Sequence, residues 1–427
     1  MGWNSFDCFG SAVVEHEVRT NADYMACRLA RFGWQYVVVD FCWSHPAPAA
    51  RSNPDLAVDA KGELTPLLAM DAYGRQLPSV NRFPSAMDGA GFKPLADSVH
   101  KLGLKFGIHV MRGIPRQAVH LNLPILGSRA HAGEIADRNS TCGWLNHMYG
   151  LDMSKRGAQA YLDSTLKLYA SWGVDYIKVD DISAPYHAAE IEGFRRAIDR
   201  CGRNIVLSLS PGASPLDQAA HLAGHANLWR ISGDFWDQWT PLRAAFDLCR
   251  DWAPQSGPGH WPDADMLPLG RLALRGPIGE PRWTNFTRAE QITLMTLWSI
   301  FRSPLMMGGH MPDNDAWTES LLTNAEVMRV GQECTNSREG WRRGNAILWV
   351  ADAPVRGQKY IAIFNVGDGP LKIAVDWQDL GIVKSCRVRD LWAHKNLGPF
   401  SKGFQRTIPS HGAGLFAITS SAVRAGK

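Results

Sequence analysis

The first three quarters of the chain repeat one pattern, in which a short apolar run, a polar loop and an amphipathic helical stretch follow one another. Because parallel strands are joined by crossover connections of a dozen or more residues, this alternation predicts parallel strands linked by helices. Eight apolar runs qualify as strands, at residues 1–4, 36–40, 106–110, 176–180, 205–209, 228–232, immediately before Asp265, and 305–307. Eight is the number of strands in a (β/α)8 TIM barrel, so we predict that α/β fold.

Helices are predicted between these strands, for example at residues 23–31, 92–102, 155–172 and 188–199. The clearest helix start is Thr287, because Thr287 and Glu290 have the spacing of a capping box ahead of an apolar run. Two connections, 43–92 and 111–152, are long and rich in Pro, Gly, Asn and Asp. Long loops after barrel strands commonly form the substrate pocket, so we expect these two to do so.

From about residue 336 the pattern changes to short alternating runs separated by turn residues. These runs lie at 346–351, 360–365, 371–376, 386–391, 404–408 and 414–418. They predict a small antiparallel β-sandwich. With 427 residues, the chain has room for a catalytic barrel at 1–330 and a C-terminal β-sandwich domain at 336–427.

The charge and hydropathy of the chain bear on whether it binds nucleic acid or a membrane. The net charge of +4 comes from interspersed residues rather than a basic stripe, which favours neither nucleic acid nor an anionic membrane. No apolar run approaches the ~20 residues that a membrane helix needs. The acids and histidines show no recognisable metal-ligand spacing, so we predict no metal and no cofactor. The oligomeric state is left open.

The eight cysteines contain no C-x-x-C pair and are interpreted mainly as buried thiols. Cys8 and Cys42 are the exception, because both follow predicted strands that should be neighbours in the sheet. A disulfide between them would indicate an oxidising compartment. We therefore expect a secreted or periplasmic protein whose signal peptide is absent or trimmed, with a cytoplasmic location as the alternative.

Two carboxylates follow predicted strands. One strand ends in Lys178 and Asp180, whose side chains share a face because side chains alternate along a strand. A lysine beside a carboxylate keeps it ionised, which suits a nucleophile. A structural ion pair inside the barrel explains the same residues equally well.

The second carboxylate, Asp234, follows Arg230 and a flexible Ser-Gly step at the end of a later strand. One ionised and one protonated carboxyl group can break a glycosidic bond. A retaining enzyme needs the two groups about 5–5.5 Å apart and an inverting enzyme about 6.5–9.5 Å apart, a distance that the sequence does not give. The alternative for Asp234 is the N-cap of a following helix. Asp263 and Asp265 are more simply turn residues that bind backbone amides.

Seven short sequence blocks follow one another along the chain in the order in which one enzyme family carries its motifs. They lie at residues 1–6, 36–43, 105–109, 175–181, 229–234, 260–267 and 303–309, with a further block at 389–392 in the C-terminal domain. Together they resemble the ordered motifs of glycoside hydrolase family 27, the α-galactosidases, over essentially the whole chain. The resemblance implies a retaining, double-displacement mechanism on a barrel, without a metal, acting on a terminal sugar.

The resemblance also implies roles for individual residues. Asp180 matches the nucleophile and Asp234 the acid/base. Lys178 and Arg230 match residues that hold the sugar hydroxyls and tune the two carboxylates. The remaining matches are Trp3 in the sugar subsite, Asp40 as the first of an acidic pair that grips the far hydroxyls, and Cys8 with Cys42 as a disulfide common in the family.

The chain departs from typical α-galactosidases at Phe41, which stands where they have a second acid after Asp40. An aromatic ring cannot accept a hydrogen bond from the sugar, and it fills space near the exocyclic carbon. A pyranose without the CH2OH group fits better, which makes β-L-arabinopyranose a candidate substrate. The blocks at 105–114 and 207–212 are similar to a branch described as β-L-arabinopyranosidase/α-galactosidase.

Similarity to that branch brings four more residues into the candidate site. His109 and Arg112 would lie at the pocket rim, with a structural role as the alternative. Ser208 and Ser210 belong to the loop that would read carbon 2 of the sugar, and this loop lacks the usual acid.

The leading hypothesis is an exo-acting retaining glycosidase that removes a terminal α-D-galactose or β-L-arabinopyranose from a small molecule, oligosaccharide or polysaccharide. One alternative is an α-glucan hydrolase, since the family also contains an isomaltodextranase. Others are a carbohydrate-binding relative that has lost catalysis and a metal-dependent barrel hydrolase.

Overall fold

The computed structural model describes residues 1–48, 57–58, 64–65, 67–383 and 385–420. They fall into two compact units. One consists of Met1–Asp234, Gly270–Trp283 and Met306–Asn314, and the other of Phe235–Leu269, Thr284–Leu305 and Asp315–Lys427. Among the described residues, no helix has the length and apolar character needed to cross a membrane. The domain limits predicted at residues 330 and 336 stay predictions.

An eight-stranded sheet contains the predicted barrel strands. They are β1 (Gly2–Asn4), β2 (Tyr36–Val39), β3 (Lys105–Met111), β4 (Tyr176–Asp180), β5 (Val206–Leu209), β6 (Leu228–Arg230), β7 (Trp261–Asp263) and β8 (Met306–Met307). The strand order is β7-β6-β5-β4-β3-β2-β1-β8. Successive strands from β1 to β6 pair in parallel, and β8 pairs in parallel with β1. The predicted TIM barrel is confirmed, because its strands follow the chain order and then return to the first.

Twelve α-helices lie in the described part of the chain. They are α1 (Phe6–Phe9), α2 (Glu15–Tyr24), α3 (Lys93–Lys101), α4 (Arg116–His120), α5 (Ala132–Ile135), α6 (Ala158–Ser171), α7 (Ala188–Arg200), α8 (Ala219–His225), α9 (Trp239–Trp252), α10 (Arg288–Phe301), α11 (Ala316–Leu322) and α12 (Ala325–Glu333). The helix predicted at 23–31 begins earlier, at Glu15, because the Glu17 carboxylate accepts the N–H of Val14 at 3.0 Å. It continues as a π-helical turn at Met25–Leu29.

The capping box predicted at the start of α10 is confirmed. The N–H of Glu290 donates to Oγ1 of Thr287 at 3.3 Å, and the N–H of Thr287 donates to Oε2 of Glu290 at 2.8 Å. Two otherwise unpaired amides at the helix start are thereby satisfied.

The long connection after β3 is built from its own small elements. It contains a three-stranded sheet of Ile114–Pro115, Met148–Leu151 and Ala136–Thr141. Helices α4 and α5 lie between the first and second of these strands in the chain. The connection at 43–92 contains the short antiparallel pair Ala57–Val58 and Leu64–Thr65, and lies partly outside the described residues. A further two-stranded pair joins Arg271–Leu272 to Arg282–Trp283.

The C-terminal strands form two antiparallel sheets. One has the order Thr335–Arg343, Ala346–Asp352, Gln358–Asn365, Ala413–Ser420, Cys386–Asp390 and Lys395–Phe400, and the other pairs Leu371–Asp376 with Gly403–Ile408. Residues of both sheets share one core, among them Leu348 and Phe416 from the first and Ile373 and Phe404 from the second. The predicted β-sandwich is confirmed. Two strands were missed, Thr335–Arg343 because its residues are mostly polar, and Lys395–Phe400 because Gly398 and Pro399 lie in it and are disfavoured in strands.

Candidate active site

The carboxyl ends of three neighbouring barrel strands bring together a cluster of polar side chains. Asp40 follows the last residue of β2, His109 lies near the end of β3, and Lys178 and Asp180 end β4. In the parallel register His109 is directly beside Lys178. The pleat then turns Lys178 and Asp180 to the same face. Substrate sites of TIM barrels lie at this end of the strands.

Asp180 is buried, yet its surroundings favour the ionised form. Its Oδ2 lies 3.0 Å from Nε2 of His109, and its Oδ1 accepts the N–H of Asp181 at 3.0 Å. Burial alone would raise the pKa of this carboxyl group. The hydrogen bond and charge of His109, the charge of Lys178 and the Asp181 amide outweigh it and hold the pKa of Asp180 below its usual value. These contacts favour the ionised form, which is the form that a nucleophilic carboxylate requires.

Lys178 forms its ion pair with Asp40 rather than simply flanking Asp180. Its Nζ lies 3.1 Å from Oδ2 of Asp40, which also accepts the side-chain amide of Asn4 at 2.7 Å. The other oxygen of Asp40 accepts the N–H of Phe41 at 2.9 Å. Burial opposes ionisation of Asp40, but these partners, with Lys178 the strongest, hold its pKa low. Asp40 is thus an ionised acceptor, which suits sugar hydroxyls.

Asp234 has a different environment from Asp180. Its side chain is 55% exposed, and its Oδ1 lies 3.3 Å from the guanidinium of the buried Arg230. The N-cap alternative for Asp234 is wrong, because α9 starts at Trp239 and the residue at its N-cap is Gln238. The two acids therefore differ in solvation, which is the usual basis for separate roles of two carboxylates.

Phe41 is the centre of an aromatic cluster at the end of β2. Its ring is 3% exposed and lies 5.5 Å from the ring of Phe6, 5.9 Å from that of His109 and 6.4 Å from that of Trp144. The apolar neighbours in the same cluster are Met111, Cys142, Leu145 and Met148. Sequence reasoning missed Phe6 and Trp144. Trp144 is 36% exposed, so it offers a partly solvated indole face beside Phe41.

Arg112, predicted at the pocket rim, lies in a buried ion network. It is 3% exposed, with its guanidinium 3.0 Å from Oδ2 of Asp181 and 3.0 Å from Oε2 of Glu190. Its Nε also donates to the backbone carbonyl of Asp181. Glu190 accepts the N–H of Leu151, at the end of the long loop, at 2.8 Å. Arg112 therefore fixes Asp181, the residue next to Asp180. Through Glu190 it also fixes Leu151 at the end of the long loop.

Trp3, Ser208 and Ser210 are buried in the structure. The indole N–H of Trp3 donates to the carbonyl of Gly309 at 2.9 Å, and no part of this side chain is exposed. Ser208 lies beside Lys178 in the parallel register of β4 and β5, and Ser210 follows the end of β5. The structure thus brings both serines to the strand ends near Lys178, whereas Trp3 lies on β1 with its ring against that of Phe9.

The predicted disulfide between Cys8 and Cys42 is not formed, and both residues are free thiols. The Cys8 thiol faces the backbone amide of Leu274, whereas Cys42 packs against the apolar cluster around Phe41. The two sulfur atoms therefore have different neighbours. Burial raises the pKa of both thiols, that of Cys8 to about 12.

Asp263 is the last residue of β7, and Asp265 lies two residues beyond it. Oδ1 of Asp263 accepts the N–H of Asp265 at 2.9 Å, and Oδ2 of Asp265 accepts the N–H of Phe235 at 2.8 Å. Each carboxylate binds a backbone amide, which is the role predicted for both residues.

Known proteins match this chain both in the barrel sequence and in the C-terminal β-sandwich sequence. Residues 135–333 match the family model described as alpha galactosidase A, and residues 343–418 match that of the alpha galactosidase C-terminal beta sandwich domain. The chain is similar to a family 27 β-L-arabinopyranosidase from Geobacillus stearothermophilus, with 50% identity and a TM-score of 0.95 over 100% of this chain and 97% of that one. A variant of that enzyme in complex with arabinose gives 49% identity and a TM-score of 0.95, covering 99% of this chain and 97% of that one. The α-galactosidase of Oryza sativa subsp. japonica is 27% identical over 98% of this chain and 84% of its own length.

Proposed function

Since the chain belongs to glycoside hydrolase family 27 and is a glycoside hydrolase, we propose that it acts as a retaining exo-glycosidase on terminal β-L-arabinopyranosyl and α-D-galactosyl groups. The observation that carries this proposal is the position of Asp180, a buried carboxylate at a barrel strand end with Nε2 of His109 at 3.0 Å and the N–H of Asp181 at 3.0 Å, contacts that favour its ionised form. An ionised carboxylate at a barrel strand end is the nucleophile that double displacement requires.

Asp234 is the acid/base in this proposal. It is exposed to solvent beside Arg230, so the water molecule that it must deprotonate in the second half-reaction can reach it. In the first step Asp180 attacks the anomeric carbon, the glycosidic C–O bond breaks and Asp234 protonates the leaving oxygen. In the second step Asp234 removes a proton from water, the water oxygen attacks the anomeric carbon and the ester bond to Asp180 breaks. Two inversions give net retention.

Phe41 sets the sugar preference. β-L-arabinopyranose has the ring and hydroxyl pattern of α-D-galactose without the CH2OH group. The ring of Phe41 is fixed between Phe6, His109 and Trp144, so it occupies volume that a side chain at that carbon would need. In this proposal Asp40 and its partner Lys178 bind the hydroxyls that both sugars share. The relative at 50% identity is a β-L-arabinopyranosidase, whereas the α-galactosidase from rice is 27% identical, which also favours the pentose.

A panel of aryl glycosides tests the proposal, with the first-formed anomer of the product followed by NMR. We expect hydrolysis of the β-L-arabinopyranoside and, more slowly, of the α-D-galactoside, each with retained configuration. An inverted first product would overturn the mechanism. Hydrolysis of dextran in place of both glycosides would favour the α-glucan alternative.

Asp180→Gly and Asp175→Asn form a matched pair for the nucleophile. Asp175 immediately precedes β4, where it accepts from Arg203 at 2.6 Å and from the N–H of Phe106 at 2.9 Å. Loss of the nucleophile should lower kcat at least about 10³-fold on both glycosides. Asp175→Asn should change stability and leave kcat nearly unaltered. Binding of sugar by the wild type without any hydrolysis would indicate a carbohydrate-binding protein instead.

A further inference from the structure

Helices α7 and α8 carry three side chains whose donor atoms converge outside the candidate active site. Glu192 lies on α7, and His221 and His225 lie on α8. One ligand atom of each residue falls within 4.8 Å of the others. The side chains are accessible, with 40% exposure for Glu192 and 22% for His221. The four-residue spacing of the two histidines is a sequence signal that our metal prediction overlooked.

The two imidazoles share one helix face. Their rings stack with centroids 4.2 Å apart and an interplanar angle of 28°. Two histidines four residues apart on one helix face are a common pair of ligands for a transition-metal ion.

The hydrogen bonds fix which nitrogen of His225 can bind a metal. Its Nδ1 lies 2.8 Å from the backbone carbonyl oxygen of His221. A carbonyl oxygen only accepts, so the proton of the neutral ring is on Nδ1. Nε2 of His225 therefore carries the lone pair.

His221 is oriented by Tyr186 and points its other nitrogen at Glu192. Its Nδ1 lies 2.5 Å from the Tyr186 hydroxyl, and its Nε2 lies 3.4 Å from Oε1 of Glu192. In a tetrahedral zinc site, with bonds of about 2.0–2.2 Å, neighbouring ligand atoms are about 3.4 Å apart. The His221 and Glu192 atoms already have that separation. A hydrogen bond to the second imidazole nitrogen is the usual outer support of a histidine ligand.

The carboxylate of Glu192 is also held from its far side. Its Oε2 accepts from the guanidinium of Arg196 at 3.0 Å, which leaves Oε1 for the cluster. The charge of Arg196 opposes a nearby cation, so the affinity should fall below that of a closed structural zinc site. Three protein ligands leave one position of a tetrahedron for water.

We propose that Glu192, His221 and His225 bind a borderline divalent transition-metal ion such as Zn²⁺, and that the ion links α7 to α8. The proposed role is structural. It is independent of the glycosidase assignment, because the three residues are separate from Asp40, His109, Lys178 and Asp180 at the barrel strand ends. A ligand that binds only the folded state stabilises it by mass action, so the melting temperature should rise with metal concentration.

The test uses the whole protein after chelator treatment and dialysis. It is titrated with ZnCl2 in a calorimeter, and its melting temperature is measured with and without Zn²⁺. The variants are His225→Gln and Glu192→Gln, with His16→Gln as the control, since His16 is exposed on α2. We expect the wild type and the control to bind one more equivalent of Zn²⁺ than His225→Gln. We also expect each site variant to lose at least about 10-fold in affinity.

A cooperative melting transition shows that each variant is folded, and Co²⁺ gives a second readout on the wild type alone. Visible absorption typical of tetrahedral nitrogen and oxygen ligation should appear with one equivalent of Co²⁺ and be displaced by Zn²⁺. Equal stoichiometry and melting shift in the wild type and in His225→Gln would overturn the proposal. So would a wild type that gives neither a Zn²⁺ binding isotherm nor the Co²⁺ spectrum.

Discussion

Nε2 of His109 lies 3.0 Å from Oδ2 of Asp180, across adjacent parallel strands. Because an ionised carboxylate can only accept, the imidazole carries its proton on Nε2 at this contact. The backbone carbonyl of His109 accepts the indole N–H of Trp43 at 2.6 Å, which helps to fix the strand end. A second His-Asp pair lies at the opposite end of β4, just before its first residue. There Nε2 of His100 lies 2.8 Å from Oδ2 of Asp175.

Removal of His109 should alter the pH dependence of hydrolysis. The pKa of Asp180 is held low in the folded protein, with His109 the main favourable partner against burial. In His109→Ala that pKa rises, so Asp180 becomes protonated at a higher pH and the acid limb of kcat/KM moves upward. A hydrogen bond to a charged group contributes about 1.5–3 kcal/mol, so kcat should fall roughly 10- to 100-fold. His100→Ala should leave the acid limb in place. An unmoved limb in His109→Ala would show that His109 does not control the ionisation of Asp180.

Phe41→Asp should shift the sugar preference toward galactose. The shorter side chain opens space at the exocyclic carbon and supplies an acceptor for its hydroxyl group. We expect the ratio of kcat/KM for the aryl α-D-galactoside to that for the β-L-arabinopyranoside to rise by about 10-fold or more. The ratio is measured within one preparation, so it does not depend on the fraction of active enzyme.

Phe41→Leu is the matched control for the sugar preference. It opens similar space within the apolar cluster and supplies no acceptor. A smaller increase of the ratio is expected than with Asp. An equal increase in both variants would mean that volume alone sets the preference, and no increase in either would remove Phe41 from the choice of sugar.

The barrel strands could be predicted because each is a short apolar run bounded by polar loops, a local signal that survives in the folded chain. The same signal predicted that strands end at Asp40 and at Asp180. The partner of Asp180 did not, because the hydrogen bond from His109 depends on the register between β3 and β4. That register is a tertiary property, and only His109 near a strand end was visible in the sequence.

The loop after β3 was the least predictable part of the site. Trp144 lies in it without hydrophobic periodicity, so nothing local indicates that its ring reaches Phe41. Similarity to the arabinopyranosidase branch placed Arg112 at the rim, yet it is buried, and Asp181 and Glu190 compensate the burial of its charge. The disulfide prediction failed for a related reason, since neighbouring strands do not by themselves bring Cys8 and Cys42 into bonding geometry.

Gly113, next to Arg112, should tolerate substitution much less than Gly127 in the same loop. Both have positive φ, +88° and +84°, so the backbone strain of an alanine is similar at the two sites, about 1–2 kcal/mol. A Cβ at Gly113 would lie 1.9 Å from the carbonyl oxygen of Tyr149, whereas a Cβ at Gly127 would meet nothing within 4 Å.

Gly113→Ala must therefore displace the strand at Met148–Leu151, which carries the amide bound by Glu190. We expect a lower melting temperature and lower kcat/KM for Gly113→Ala than for Gly127→Ala, measured by calorimetry and aryl glycoside hydrolysis. Equal losses in the two variants would show that the contact with Tyr149 relaxes without cost.

All eight cysteines should react as thiols when the protein is unfolded without reductant. The structure has each of them free, including Cys8 and Cys42. Burial raises the pKa of both thiols, so little thiolate is present at neutral pH and oxidation in the folded state should be slow. Unfolding in iodoacetamide should add eight carbamidomethyl groups by mass spectrometry, and reductant should leave the melting temperature unchanged. Six groups, rising to eight after reduction, would restore the disulfide and with it the expectation of an oxidising compartment.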